Sequence, residues 1–222
     1  MKEAAYHYNQ QLLLILLFNI LIGLPVFIVL FGYTFYLMQL DLGGIENLLI
    51  IFTNILMFAV MVKPFVFIYE RSEEGEPLAI KEVIKEFLVT VGPVFIVSLI
   101  TFAFIYLGLA LYVVPGIIIL PLAFFMPLQY RSHFKFSEWV KKSIEFYKER
   151  FVETLFDILL WVCVIYILWW ALLNLTLWID MTPFVFGLLR MVMYLFLFPY
   201  IIFYLANKYP VAIEEKEGYK HD

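Results

Sequence analysis

Six apolar runs, each long enough to cross a bilayer and nearly free of charge, constrain this chain more than any other feature. They occupy residues 12–38, 48–69, 87–112, 115–130, 154–177 and 184–205. A hydrocarbon core about 30 Å thick is crossed by ~20 helical residues, and in lipid every backbone polar group must be bonded within the protein. Barrel strands would alternate apolar and polar residues, whereas these runs are apolar on every side. The reading is an all-α, polytopic membrane helix bundle. It is a single integral membrane domain over residues 1–222, with six transmembrane helices arranged as three hairpins. Of the 222 residues, 64% are hydrophobic and 15% charged; a soluble domain has about 25% charged, so a water-soluble fold could not cover its own core. The first run is too long for a secretory signal and lacks a small-residue cleavage site, so it is expected to stay in the mature chain.

Orientation follows from the short connections. Segments 39–47, 112–116 and 178–183 hold no Lys or Arg. The opposite side carries Lys2, then Arg71, Lys81 and Lys85, then Arg131, Lys135, Lys141, Lys142, Lys148 and Arg150, then Lys208, Lys216 and Lys220. Basic residues stay on the inner side, so the expectation is a multi-pass protein of the plasma (cytoplasmic) membrane with both termini cytoplasmic.

The two long inner connections each contain an amphipathic stretch, 78–86 and 137–150. In the first, Ile80, Val83, Ile84, Phe87 and Leu88 form an apolar stripe; in the second, Trp139, Val140, Ser143, Ile144, Tyr147 and Phe151 do so. Ser137 reads as an N-cap, and Glu138 with Lys142 as an i,i+4 ion pair. Such elbow helices lie in the headgroup boundary, which makes Trp139, Val140, Ile144 and Tyr147 candidates for contact with lipid or a partner. Three hairpins of one orientation predict a pseudo-threefold bundle about the membrane normal, followed by a cytoplasmic tail, 206–222.

Ionisable groups within spans cost ~2.5–3.5 kcal/mol to insert, so Lys63 and Arg190 are ligand or ion-path candidates. The competing readings are that Lys63 snorkels to the inner surface and that Arg190 pairs with Asp180. Asn19, Asn54 and Asn174 are expected to bond across helices, Asn19 and Asn54 being path candidates as well. Asp157, one turn after Glu153, reads as a solvated cap. Pro115, Pro121 and Pro127 recur along the fourth run, and the last two deprive the carbonyls of Ile117 and Ala123 of their helical donors. Pro121 and Pro127 therefore either line a cavity or are packing kinks. Gly23 with Pro25 and Gly92 with Pro93 mark further breaks.

Chemistry finds little purchase. His7, His133 and His221 have no metal-ligand spacing, and the single cysteine, Cys163, reads as a small packed hydrophobe. Nucleophile-elbow, zinc-protease and phosphate-loop patterns are missing. The expectation is no catalytic residue, no metal and no cofactor. A net charge of -4 argues against nucleic acid.

The segment Val113-Val114-Pro115-Gly116-Ile117, the kinked run to Met126-Pro127, and the following amphipathic stretch with Ser143 and an aromatic entry at Phe151 resemble one known pattern. It is that of the six-helix membrane domain appended to some glycerophosphodiester phosphodiesterases, and of its stand-alone relatives. The resemblance covers roughly residues 113–160 and departs at Gln129-Tyr130-Arg131, where an acidic residue is usual. It implies a six-helix fold; the phosphodiesterase activity belongs to a soluble domain this sequence does not contain. The functional expectation is a non-catalytic scaffold or interaction subunit, with membrane lipid and a membrane protein or second copy as partners. The alternative is a small transporter or lipid-handling protein with a cavity beside the fourth span. A cysteine introduced at Asp180 is expected to react with an impermeant thiol reagent in whole cells, and one at Lys216 to be protected; the reverse result overturns the orientation.

Overall fold

The computed structural model describes residues 2–40, 45–111, 113–130, 135–179 and 183–210. Its elements are helices: α1 (Lys2–Gln10), α2 (Leu12–Phe18), a π-helical turn (Asn19–Gly23), α3 (Leu24–Met38), α4 (Ile45–Glu73), α5 (Ile80–Leu111), α6 (Val113–Ile119), α7 (Leu122–Leu128), α8 (Phe136–Glu149), α9 (Phe151–Trp178) and α10 (Pro183–Lys208). Five stretches are long and apolar enough to span a membrane: Leu12–Met38, Leu48–Glu73, Ile80–Leu111, Phe151–Leu175 and Gly187–Lys208. The described residues form a helical bundle whose long apolar helices fit a membrane protein.

The fourth run is built differently. It is a shorter apolar piece, Val114–Leu128, broken at Leu120–Pro121 into α6 and α7. Pro121 has no N–H to offer the preceding turn, and the helix restarts with Ala123 and Phe124 bonded to the carbonyls of Leu120 and Pro121. In the first span the break takes another form. The Leu24 N–H reaches the Asn19 carbonyl, one residue farther than an α-helix allows, and Pro25 then sits in the first turn of α3, where a missing N–H is harmless.

The stretch 78–86 is not a separate elbow, because α5 runs without interruption from Ile80 to Leu111. Between Lys81 and Val91 there is no Gly or Pro, so nothing stops helix propagation. A Glu82 carboxylate accepts from the Ala79 N–H at the helix start (3.3 Å). Val83 is fully buried and Ile80, Ile84 and Phe87 pack beside it, while Leu88 faces outward.

Helix α4 is the centre, lying against α1, α3, α5, α7 and α10. Its Phe65 meets Phe18 and Phe198 edge-on, and Val62, Val66 and Ile68 are buried around it. The contrast is α9, of whose apolar window 11% is buried against 53% for α4, so most of α9 packs against nothing in the bundle. Cys163 is exposed there rather than packed.

Helices α5 and α6 fold back on each other through two glycines. A Cβ on Gly108 would lie 2.8 Å from the Gly116 nitrogen, and one on Gly116 would lie 2.4 Å from Leu109 Cγ. Gly92, on the same α5, has nothing within 4 Å of such an atom. Gly108→Ala is therefore expected to destabilise the protein by about 1–3 kcal/mol, the usual cost of overpacking, and Gly92→Ala to be neutral or mildly stabilising. Thermal unfolding of both variants in one detergent checks this.

Candidate functional site

The polar groups that could carry function fall in three places: the break in the fourth run, the cavity beside the π turn, and the charged end of the bundle. At the break, α8 lies on α7 and turns two donors into it. The Trp139 indole N–H donates to the Met126 carbonyl (2.9 Å), left open because Gln129 and Tyr130 bond to Phe125 and Pro127. The Tyr147 hydroxyl donates to the Ile118 carbonyl (2.5 Å). Ser143 sits between them on the same line, and all three are buried. Burial pushes the Tyr147 hydroxyl up to about 12, so it remains a donor at any physiological pH.

Trp139 and Tyr147, candidates for a partner surface, thus face inward and hold the elbow to the bundle; Val140 and Ile144 keep partial exposure. Pro121 and Pro127 are both buried, and the carbonyls taken up beside them are those of Ile118 and Met126, not Ile117 and Ala123. Ser137 is not the cap of α8. Lys135, with extended backbone, precedes the helix and its carbonyl accepts from Trp139. The Glu138–Lys142 pair forms at 3.2 Å.

In the first span, Asn19 bonds across helices. Its Nδ2 donates to the Leu195 carbonyl of α10 (2.7 Å), which Pro199 deprives of its helical donor. A Cβ on Gly23 would meet Asn19 Oδ1 at 2.9 Å, so this glycine makes room for the asparagine. Asn54 and Asn174 instead donate back to Ile50 and Trp170 within their own helices (2.7 Å each). Beside Asn19, residues of α3, α4 and α10 including Phe27, Met61, Tyr194 and Phe198 line a cavity. Its free interior of about 10 Å³ is the room of about one water.

Lys63 is 2% exposed, with Nζ 3.7 Å from a Glu70 carboxylate oxygen two turns along α4. It does not snorkel to the surface: a desolvated ammonium is tolerable only beside a countercharge, and Glu70 supplies one. The Arg190 side chain and Asp180 lie outside the described residues.

The charged end is organised by the last turn of α10. Asp157, 8% exposed, accepts from the Tyr209 hydroxyl (2.6 Å) and the Tyr204 hydroxyl (3.2 Å) and pairs with the Lys208 ammonium (2.6 Å). It is thus a buried junction between α9 and α10 rather than a solvated cap. Burial, followed by the bond to Asp157 and the charges of Asp157 and Glu153, raises the Tyr209 ionisation above the usual phenol range. Asn207 donates to Tyr69 (2.8 Å) and to Glu3 (3.3 Å), and Tyr8 donates to the Phe196 carbonyl (3.0 Å). His7 and Ser72 share a hydrogen bond at 2.9 Å, the spacing of a base and a nucleophile. Ser72, however, is 5% exposed in the last turn of α4, where the helix's carbonyl end places negative potential. That field opposes an oxyanion, so the contact acts as a tie between α1 and α4. Among the described residues no three His, Cys, Asp or Glu side chains are grouped to hold a metal.

The chain matches no protein-family model, no curated protein and no solved structure. Sequence reasoning missed α1 as a packed element, although Ala4, His7, Tyr8 and Gln11 have helical spacing. It also missed Tyr204, Lys208 and Tyr209 as partners of Asp157, which nothing local reveals. Tyr147→Phe, which leaves the buried Ile118 carbonyl unbonded, is expected to cost about 1–3 kcal/mol. Because the folded-state value exceeds that of the unfolded chain, near 10, the hydroxyl's contribution is complete below about pH 10 and disappears as pH rises through about 12. Unfolding curves of wild type and variant should therefore converge over that window.

Proposed function

We propose that this protein is a non-catalytic membrane scaffold, a six-span bundle of the kind the phosphodiesterase membrane-domain resemblance implies, with α6 and α7 together making the fourth span. Three hairpins related about the membrane normal, both termini in the cytoplasm and residence in the plasma membrane belong to the same reading. The observation that carries it is how the interior polar groups are used. Asn19, Trp139, Tyr147 and Asp157 are each bonded to another helix, so their role is to hold elements together. The carrier reading has less support, since the cavity beside Asn19 has room for about one water and is not lined by Pro121 or Pro127.

What remains for interaction is the charged inner surface. At the α4–α5 connection Arg71 bridges Glu74 and Glu76, Gly75 takes a left-handed backbone (φ 72) that only glycine adopts cheaply, and Glu73, Lys81 and Glu82 point outward. This is a formed, charged turn suited to a membrane-protein partner. Photocrosslinkers at Glu76 and Lys81 of the full chain in native membranes are expected to capture the same membrane protein. The combined Glu73→Lys, Glu74→Lys and Glu76→Lys variant should lose it while keeping its unfolding temperature. Capture of nothing but lipid, or capture indifferent to the charge reversal, overturns the scaffold reading.

A further inference from the structure

Helix α8 has more apolar surface than its contact with α7 uses. Beside the buried line of Trp139, Ser143 and Tyr147 runs a second line, Phe136, Val140 and Ile144. Phe136 is 48% exposed and the other two are partly open. These residues floor a shallow depression bordered by Lys141 and Lys148. The charges on α8 are divided unevenly. Glu138 and Glu149 fall on the opposite flank by helical spacing, and Glu138 is held there by Lys142 at 3.2 Å. On the depression's own rim, Glu145 stands 3.9 Å from Lys141, whose side chain is 77% exposed, and Lys148 makes no ion pair among the described residues.

Chain continuity indicates what covers this flank. Arg150 alone separates α8 from α9, one of the five membrane-length helices, so the end of α8 lies where that helix enters the bilayer. A strip with an apolar floor and a cationic rim at that level matches a lipid with an acyl chain and an anionic headgroup. We propose that the α8 flank is a binding site for one anionic glycerophospholipid, its acyl chain along Phe136, Val140 and Ile144 and its phosphate at Lys141 and Lys148. The site deepens the scaffold reading, because it would seat the elbow on the inner leaflet.

The test is native mass spectrometry of the full chain released from nanodiscs of equal phosphatidylcholine and phosphatidylglycerol. Wild type is expected to retain phosphatidylglycerol in preference. Lys141→Gln/Lys148→Gln should reduce that preference by about fivefold per lysine, the usual worth of a basic residue at an anionic surface. Lys141→Arg/Lys148→Arg should keep it, as should Lys81→Gln/Lys85→Gln at the start of α5. Equal retention of the two lipids by wild type, or equal preference in wild type and the α8 glutamine variant, overturns the site. So does loss of preference in the Lys81/Lys85 variant as well, which would report diffuse charge. A dimer mass that vanishes in the α8 glutamine variant overturns it in favour of a second copy. Crosslinking at Glu76 and Lys81 is read independently, so failure there leaves the lipid site standing, and the reverse also holds.

Discussion

A carbonyl that loses its helical donor inside hydrocarbon has no water to turn to, and the structure is arranged around that constraint. Leaving such a group unbonded costs several kcal/mol in an apolar medium. Where its apolar helices break or end, the chain supplies side-chain donors from elsewhere. Asn19 serves Leu195, whose helical donor Pro199 removes; Trp139 serves Met126 at the end of α7, and Tyr147 serves Ile118 at the end of α6. Each bond joins two elements. A helix continuing unbroken through these points would have nothing to offer, so its ends and breaks act as attachment sites.

The same logic shows why part of the fold was legible in the linear sequence. Span positions depend on local composition, and the five observed spans overlap five of the predicted runs. Pro121 and Pro127 were recognisable as places where carbonyls are freed, and Asn19 as a group that would reach another helix. Which carbonyls are taken, and by whom, depends on how α8 and α10 lie in space, and spacing does not encode that. The stripe of α8 was visible as Trp139, Val140, Ile144 and Tyr147, yet its division into a buried line and a partly open one required α7 to be in place. For Asn54 and Asn174, a donor in an apolar helix can be satisfied by its own preceding turn, and the sequence cannot distinguish that from a bond across helices.

Charge is handled by a second arrangement. Asp157 lies near the start of α9 and Lys208 at the end of α10, 51 positions apart in number, yet the carboxylate meets the ammonium and two tyrosine hydroxyls in one place. Three partners satisfy a carboxylate whose burial would otherwise be costly. Because Asn207, Lys208 and Tyr209 are consecutive, the end of α10 and the residue after it grip α4 and the N-terminal residues through Asn207 and α9 through Lys208 and Tyr209. The peripheral helix α9, with so little of its surface buried, is thus tied to the bundle at its polar end rather than along its length.

These two arrangements divide the molecule by purpose. Asn19, Trp139, Tyr147 and Asp157 are bonded to other helices, whereas Lys63, Asn54 and Asn174 find partners within their own helices, and the cavity beside Asn19 has room for about one water. Ser98, Gln129 and Ser143 carry buried polar atoms without a hydrogen-bond partner among the described residues, and outside lie the Arg71–Glu76 turn and the lysine-rimmed flank of α8. A bundle whose helices are tied by such bonds, with charge at its rim, is what the proposed scaffold reading requires. The elbow joins the two halves of that design, because one line of α8 is locked to the broken span while the neighbouring line stays open, so anything that binds the open line acts on a helix whose place is already set.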